Sequence, residues 1–403
     1  MTKDVESGLP QLTRAHMPAD YSISLAQYTR GGTDRFLAEG RDDMPAQSMR
    51  GFEGQYRNII DYIVRITHRI WEEKDIGYIY DTYAHNSRVY DDYGLQYGRD
   101  KIVADTTHTI NAFPNIRLVA DEIIWAGDED VGFYTSHRTI IQGDNTGYSR
   151  YGPPTGKRAS LWCIANCVSR ENEIFLEHVL YNTSAMLRQM GLDLAGVARQ
   201  MAESGGAALP DDYTAGEPAR QRGQAKPAWP AVPEASGELD VEDFIRSLYQ
   251  CVWNRRMLGT LQGRYADNLV FNGPTDRAFS GLGPYQAFVL SLLAQFPDLA
   301  LDVDEVYWMG NPDEGYLVST RWNAYGAHRG NGVFGPPTGR EARIRGITQH
   351  RIEDGLITEE WMLFNELDVM MQLLGAPSEE SSQSEEGSSS DSPGLGTAQT
   401  RER

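Results

Sequence analysis

The chain has 403 residues, too many for one ordinary core and enough for two domains of about 150 residues with irregular segments besides. Its 57 acidic side chains against 37 basic ones leave a formal charge of −20, which repels phosphate backbones and argues against nucleic acid as a partner. No apolar run reaches the roughly 18 to 20 residues that span a bilayer, and the N-terminus lacks a signal-peptide core, so a soluble, cytoplasmic protein without membrane contact is expected.

Residues 1–50, with Tyr21, Tyr28 and Phe36 among scattered Gly and Asp, hold too few apolar positions for a domain. They read as an N-terminal extension that drapes over a domain surface or covers a pocket. From residue 51 a first domain opens with Ile59, Ile60, Ile63, Ile66, Ile70 and Trp71, whose three-to-four spacing predicts a helix. A short helical stretch around Tyr78–Tyr83, a strand and a helix near Lys101–Ile110 follow. Three or four long strands of alternating apolar and polar residues then run to 193. Cys163 and Cys167 share a face of one such strand about 13 Å apart, too far to bridge. With three cysteines in the chain there is no tetrahedral zinc set, and structural thiols in a reducing compartment are expected.

Residues 194–237, rich in Pro, Gly and Ala without apolar period, read as a flexible linker. A second domain, 238–376, opens with Asp240 as N-cap and a helical stripe of Phe244, Ile245, Leu248, Val252 and Trp253. A short stretch Met257–Tyr265, a strand, a helix near Tyr285–Leu293 and further strands repeat the first order. Residues 377–403 are acidic and Ser-rich, the composition of a disordered tail.

The two halves are copies. GPPTG occurs at Gly152–Gly156 and at Gly335–Gly339, and the offset of 335 − 152 = 183 also relates Phe113-Pro114 to Phe296-Pro297 and Asp121-Glu122 to Asp304-Glu305. The same offset relates Trp125 to Trp308, Arg138 to Arg321, Glu177 to Glu360 and Asn182 to Asn365. A single register held over such a span marks a tandem duplication. In each GPPTG the prolines set φ and the glycines take turn positions that other residues resist.

The closing segment Arg351–Gly375 has a turn at Asp354-Gly355, then Glu359-Glu360-Trp361, a polar residue four after the Trp, and a helical ending at Gly375. With the GPPTG turn, this resembles the SnoaL-like polyketide cyclase branch of the nuclear-transport-factor-2-like superfamily, the second copy more closely than the first. The resemblance implies an α+β fold of two cone-shaped domains, each a curved antiparallel sheet wrapped on helices around an apolar pocket. It also implies sheet-to-sheet pairing of the two, as an intramolecular pseudo-dimer, with homo-oligomers also open. No metal or organic cofactor is implied; such pockets work with an acid or base whose pKa burial moves toward neutrality.

In that family the residue four after the Trp is an Asp that acts as general acid and base. Both copies here carry Asn instead, Asn182 and Asn365, which hydrogen-bond but do not exchange a proton at useful pH. The first copy has His178 at the Trp position and His137 one strand earlier, where the second copy has Thr320. His178 and Asn182 share a strand face, the one expected to line the cavity. His137, His178 and Asn182 are therefore the catalytic candidates, a histidine serving as proton shuttle.

Candidates for substrate binding are Tyr83, His85, Tyr90, Asp92, Trp125 and Arg138 in the first copy. Those in the second are Tyr265, Trp308, Arg321, Trp361 and Asn365. The two indoles Trp125 and Trp308 suit a core before a ligand stack, Arg138 and Arg321 an ion pair at a domain interface or in the cavity, and Glu359 and Glu360 a solvated rim. The expected ligand is a hydrophobic or aromatic small molecule. Two functions stay open. One is a cofactor-independent lyase, isomerase or hydratase with the first copy active; the other is a non-catalytic binding or scaffolding protein with degenerate pockets.

Overall fold

In both halves a capped amphipathic helix is laid across one face of a sheet. In the computed structural model, which describes residues 11–25, 32–38, 44–204 and 239–375, α1 (Ile59–Trp71) starts where Asn58 Oδ1 accepts from Asp61 N at 2.9 Å. Its counterpart in the second unit is the helix Val241–Tyr249, where Asp240 does the same for Asp243 N at 3.1 Å.

After α1 the first unit runs β1 (Tyr83–Asp91), β2 (Gly94–Tyr97), α2 (Arg99–Ala112), β3 (Arg117–Asp128), β4 (Gly132–Asp144), β5 (Arg158–Arg170), β6 (Glu173–Tyr181) and α3 (Thr183–Met190). Gly98 precedes α2 at φ +82°, a backbone angle that a side chain resists, and the equivalent Gly281 stands at φ +98°. Next come α4 (Leu194–Glu203) and then the second unit: α5 (Val241–Tyr249), β7 (Tyr265–Asn272), β8 (Ala278–Ser280), α6 (Leu282–Gln295), β9 (Ala300–Asn311), β10 (Gly315–Ala327), β11 (Glu341–Glu353), β12 (Leu356–Phe364) and α7 (Glu366–Leu374). The sheets are ordered β2-β1-β6-β5-β4-β3 and β8-β7-β12-β11-β10-β9, so the duplication is structural as well as textual. Within each sheet one junction is parallel, β1 on β6 and β7 on β12; the others are antiparallel.

The convex faces of the two sheets meet. Ile164 and Leu180 of the first pack on Ile347 and Leu363 of the second, an apolar centre in which each residue faces counterparts of its own repeat partner. Polar pairs around it obey the same pseudo-twofold: Gln349 Nε2 donates to Ser136 Oγ at 2.9 Å, and Asn166 Nδ2 to Ser319 Oγ at 3.2 Å. Arg138 joins Asp121 (2.6 Å) to Gln349 (2.8 Å) and stacks 4.1 Å over Trp361.

One sequence expectation changes, the start of the linker. The linker does not begin at 194, because Leu194–Glu203 is a helix capped by Asp193, with Val197 and Ala198 buried and packed toward α7. Its apolar stripe was obscured by the small residues Ala195, Gly196 and Ala198, which look like linker composition. Residues 205–238, the tail from 376, and Tyr28 lie outside the described residues. The described part of the N-terminal extension drapes over both units: Pro18 O accepts from Gly310 N, Tyr21 OH donates to Gly315 O at 3.0 Å, and Ile23 O accepts from Trp125 Nε1 at 2.8 Å. It thereby straps the β9–β10 hairpin of the second unit to β3 of the first, and none of its described residues lines the cavity described below.

Candidate active site

Strand alternation sends His137, Thr139 and Ile141 of β4, Cys163, Ala165 and Cys167 of β5, and Glu177, Val179 and Tyr181 of β6 to the concave face of the first sheet. With Ile63, Ile66 and Thr67 of α1 and Ile102 and Thr106 of α2 they enclose a cavity of about 220 Å³. By the same measure roughly 10–15 Å³ admits one water, so the space suits a small organic molecule. The exposed His108 and Arg150 mark its mouth.

Three carboxylates line the cavity, Asp91, Asp105 and Glu177, and Glu177 is the one on the concave face of β6. It is 9% exposed, and its Oε2 accepts from Tyr83 OH at 3.0 Å. Burial pushes its carboxyl up to about 7, the Tyr83 hydrogen bond works the other way, and Asp91 adds a smaller upward push. His137 sits two residues further along the face, beside Ala165 and Val179. Burial lowers its imidazolium to about 4, so the ring is neutral at ordinary pH, and Nδ1 has no hydrogen-bond partner among the described residues. At the other end of the cavity Tyr93 OH and Tyr151 OH are hydrogen-bonded to each other, with the Arg150 guanidinium 4.0 Å over the Tyr93 ring. Asp91 accepts there from Tyr93 N at 2.8 Å and from Gln96 at 3.2 Å.

A carboxyl that titrates near neutrality in an apolar chamber can accept a proton from a bound molecule and return it. Phenols in the same wall can donate to an oxygen as charge develops on it. Among the described residues no group of three or more His, Cys, Asp or Glu is placed to hold a metal ion.

Of the residues singled out from the sequence, Tyr83 and His137 line this cavity. His178 does not: it points the other way, its ring stacked 4.8 Å from that of Tyr90 on the convex face. Asn182, one turn of parity later on that face, holds the second unit instead, exchanging hydrogen bonds with Thr275 N (2.8 Å) and Thr275 O (2.9 Å). Arg138 and Trp361 are likewise interface residues, and Arg321 pairs with Asp304 at 3.2 Å. Asp92 is buried behind the cavity, accepting from Thr183 Oγ1 at 2.6 Å, with burial pushing its carboxyl up to about 7. His85 is exposed on β1. Trp125 and Trp308 pack under the N-terminal strap. Asn365 caps α7 by accepting from Leu367 N at 2.9 Å. Tyr265 donates to Glu360 at 2.7 Å inside the second unit. Glu360 is no rim charge: it is fully buried, while Glu359 is bonded by Trp361 and lies 3.5 Å from Arg351.

The missed residue is Glu177. Its signal was present, since Glu177 recurs as Glu360 at the offset of 183 and Tyr83 as Tyr265 at 182, one residue being inserted between, and Glu177 shares strand parity with the apolar Val179 rather than with His178.

Residues 244–373 match the family model described as SnoaL-like polyketide cyclase. Among solved structures, a protein from Jannaschia sp. CCS1 provisionally assigned as a SnoaL-like polyketide cyclase is similar at 19% identity, over 36% of this chain and 98% of its own, with a TM-score of 0.32. IdmH from Streptomyces antibioticus, provisionally assigned as a polyketide cyclase, is similar at 26% identity over 34% of this chain and 99% of its own, with a TM-score of 0.29. TsrD from Streptomyces laurentii shares 22% identity over 35% of this chain and all of its own, with a TM-score of 0.29. No curated protein matches the sequence.

Proposed function

From two SnoaL-like units of nuclear-transport-factor-2-like fold, the second matched by the family model and the first its structural repeat, we propose that the first unit catalyses proton transfer on an apolar or aromatic small molecule. The reaction class is lyase, isomerase or hydratase, run without a cofactor by the chain's own acid and base. The observation that carries this reading is Glu177, a carboxyl set in the wall of an otherwise largely apolar cavity, with one phenol as its direct partner. Glu177 takes the proton-shuttle role expected of His137 or His178. Tyr83 holds its ionised form, neutral His137 accepts or donates one hydrogen bond to the bound molecule, and the Tyr93–Tyr151 pair binds a polar group at the far end.

A probe of matching size is 5-nitrobenzisoxazole. A base removes its ring C–H proton, the N–O bond breaks, the electron pair completes a nitrile, and the oxygen leaves as a coloured phenolate. The native protein is expected to accelerate this reaction, with a rate rising with pH through about 7 as Glu177 ionises. Glu177→Gln is expected to lose roughly 10²- to 10⁴-fold of that rate, the usual range for a positioned base. Equal rates for native protein and Glu177→Gln would exclude the assignment and favour a purely binding role for the cavity.

A further inference from the structure

The second unit keeps the chemical pair of the first. Register places Tyr265 against Ile357 as Tyr83 lies against Ile174, and Glu360 beside Phe271 as Glu177 lies beside Val89. Tyr265 OH donates to Glu360 at 2.7 Å, as Tyr83 does to Glu177 at 3.0 Å. What differs is the space around the pair. At the position of Ile102 the second unit has Tyr285, which gives Glu360 a second phenol at 3.0 Å. Where Thr67 and Asp105 line the first cavity, Tyr249 and Phe288 are buried, and where Thr139 lines it, Trp322 is buried, its indole N–H donating to Thr348 at 3.0 Å.

Trp322 is accommodated by a matched change on the next strand. It pairs with Gly346, as Thr139 pairs with Cys163. A Cβ at 346 would stand 2.0 Å from the Trp322 ring, so this indole requires glycine there, and the first unit, with Cys163, cannot take a Trp at 139 unchanged.

We propose that the second unit is a closed copy of the same site, its Glu360–Tyr265 pair intact and its binding space filled by Trp322, Tyr285 and Tyr249. The residues at these positions therefore decide which unit receives the ligand. Thr139 with Cys163, Ile102 and Thr67 are the specificity determinants that keep the first cavity open. Only the turnover arm below rests on the reading of Glu177 as a base; the cavity arm stands without it.

The experiment exchanges the filling residues in the full chain and counts bound 2-naphthol by titration calorimetry. The native protein is expected to bind one molecule. Trp322→Thr with Tyr285→Ile is expected to bind two, and Thr139→Trp with Cys163→Gly none. A native stoichiometry of two overturns the proposal. So does an opened variant that keeps the native circular dichroism and still binds one. Should the opened variant fail to fold, the filled variant decides: an unchanged affinity for one 2-naphthol overturns the proposal, and loss of binding with native circular dichroism supports it. In the Glu177→Gln background, the opened variant is expected to regain 5-nitrobenzisoxazole turnover at least tenfold above that background, and Glu360→Gln to remove it. Two bound naphthols with no turnover at either unit would sink the assignment of the base while supporting the closed copy.

Discussion

At the scale of single residues, the site turns on how far burial outweighs one hydrogen bond. Desolvation dominates at Glu177, and Tyr83 offsets part of it by donating to the ionised form. Tyr83→Phe removes that offset, so the pH–rate profile for 5-nitrobenzisoxazole is expected to move to higher pH, by about one unit. A profile that stayed in place would show that the phenol does not act on the carboxylate. The same balance bears on stability. A carboxyl raised from 4.5 to about 7 contributes stability that is present below pH 4.5 and lost as the pH rises through 7. Glu177→Gln is therefore expected to flatten denaturation free energy between those limits by up to about 3 kcal/mol, measured by urea unfolding across pH. His137 works in the opposite sense, its contribution being present above 6.5 and lost as the pH falls through about 4. The sequence made His178 conspicuous because it departs from the repeat and left Glu177 in the background because it conforms. The pair that both copies kept is the one that faces the concave side, Tyr83 with Glu177 and Tyr265 with Glu360.

At the scale of elements, the error in the site was one of parity. The Asp240 cap, the opening helices and the helix near Lys101–Ile110 follow from local spacing, and each appears where that spacing puts it. Which face of a strand is concave is not local. It depends on how a twisted sheet curls over α1 and α2, and β6 is buried on both faces, so that apolar and polar residues alternate without a solvent side to orient them. A displacement of one residue then carried His178 and Asn182 from the expected cavity to the sheet interface, where Arg138 makes the interface ion pair that was one of its two readings. The N-terminal strap was equally hidden, because its contacts are largely backbone carbonyls and a few rings that carry no periodic pattern. Tyr21→Ala is expected to lower the melting temperature by a few degrees, through loss of its hydrogen bond to Gly315 and of the packing around it, while leaving 2-naphthol affinity unchanged. A weakened affinity would instead make the strap part of the binding site.

At the scale of the whole molecule, the two sheets are held by a small apolar centre ringed with polar pairs that repeat under a twofold relation. Arg138 is one node of this contact, touching Asp121, Gln349 and Trp361. Arg138→Ala is expected to cost about 1 to 3 kcal/mol in urea unfolding, because it leaves the buried Gln349 carbonyl without its donor, while the partly exposed Asp121 is taken up by water. A cost below about 0.5 kcal/mol would mean that the node is not a determinant of pairing. Such a contact, formed between separate identical chains, would write every substitution into both partners at once, so a tryptophan that fills one pocket would fill its twin. Joining the partners in one polypeptide breaks that bond between the two fates. Position 322 could gain its indole together with the glycine at 346 while position 139 stayed threonine, and asymmetry became heritable.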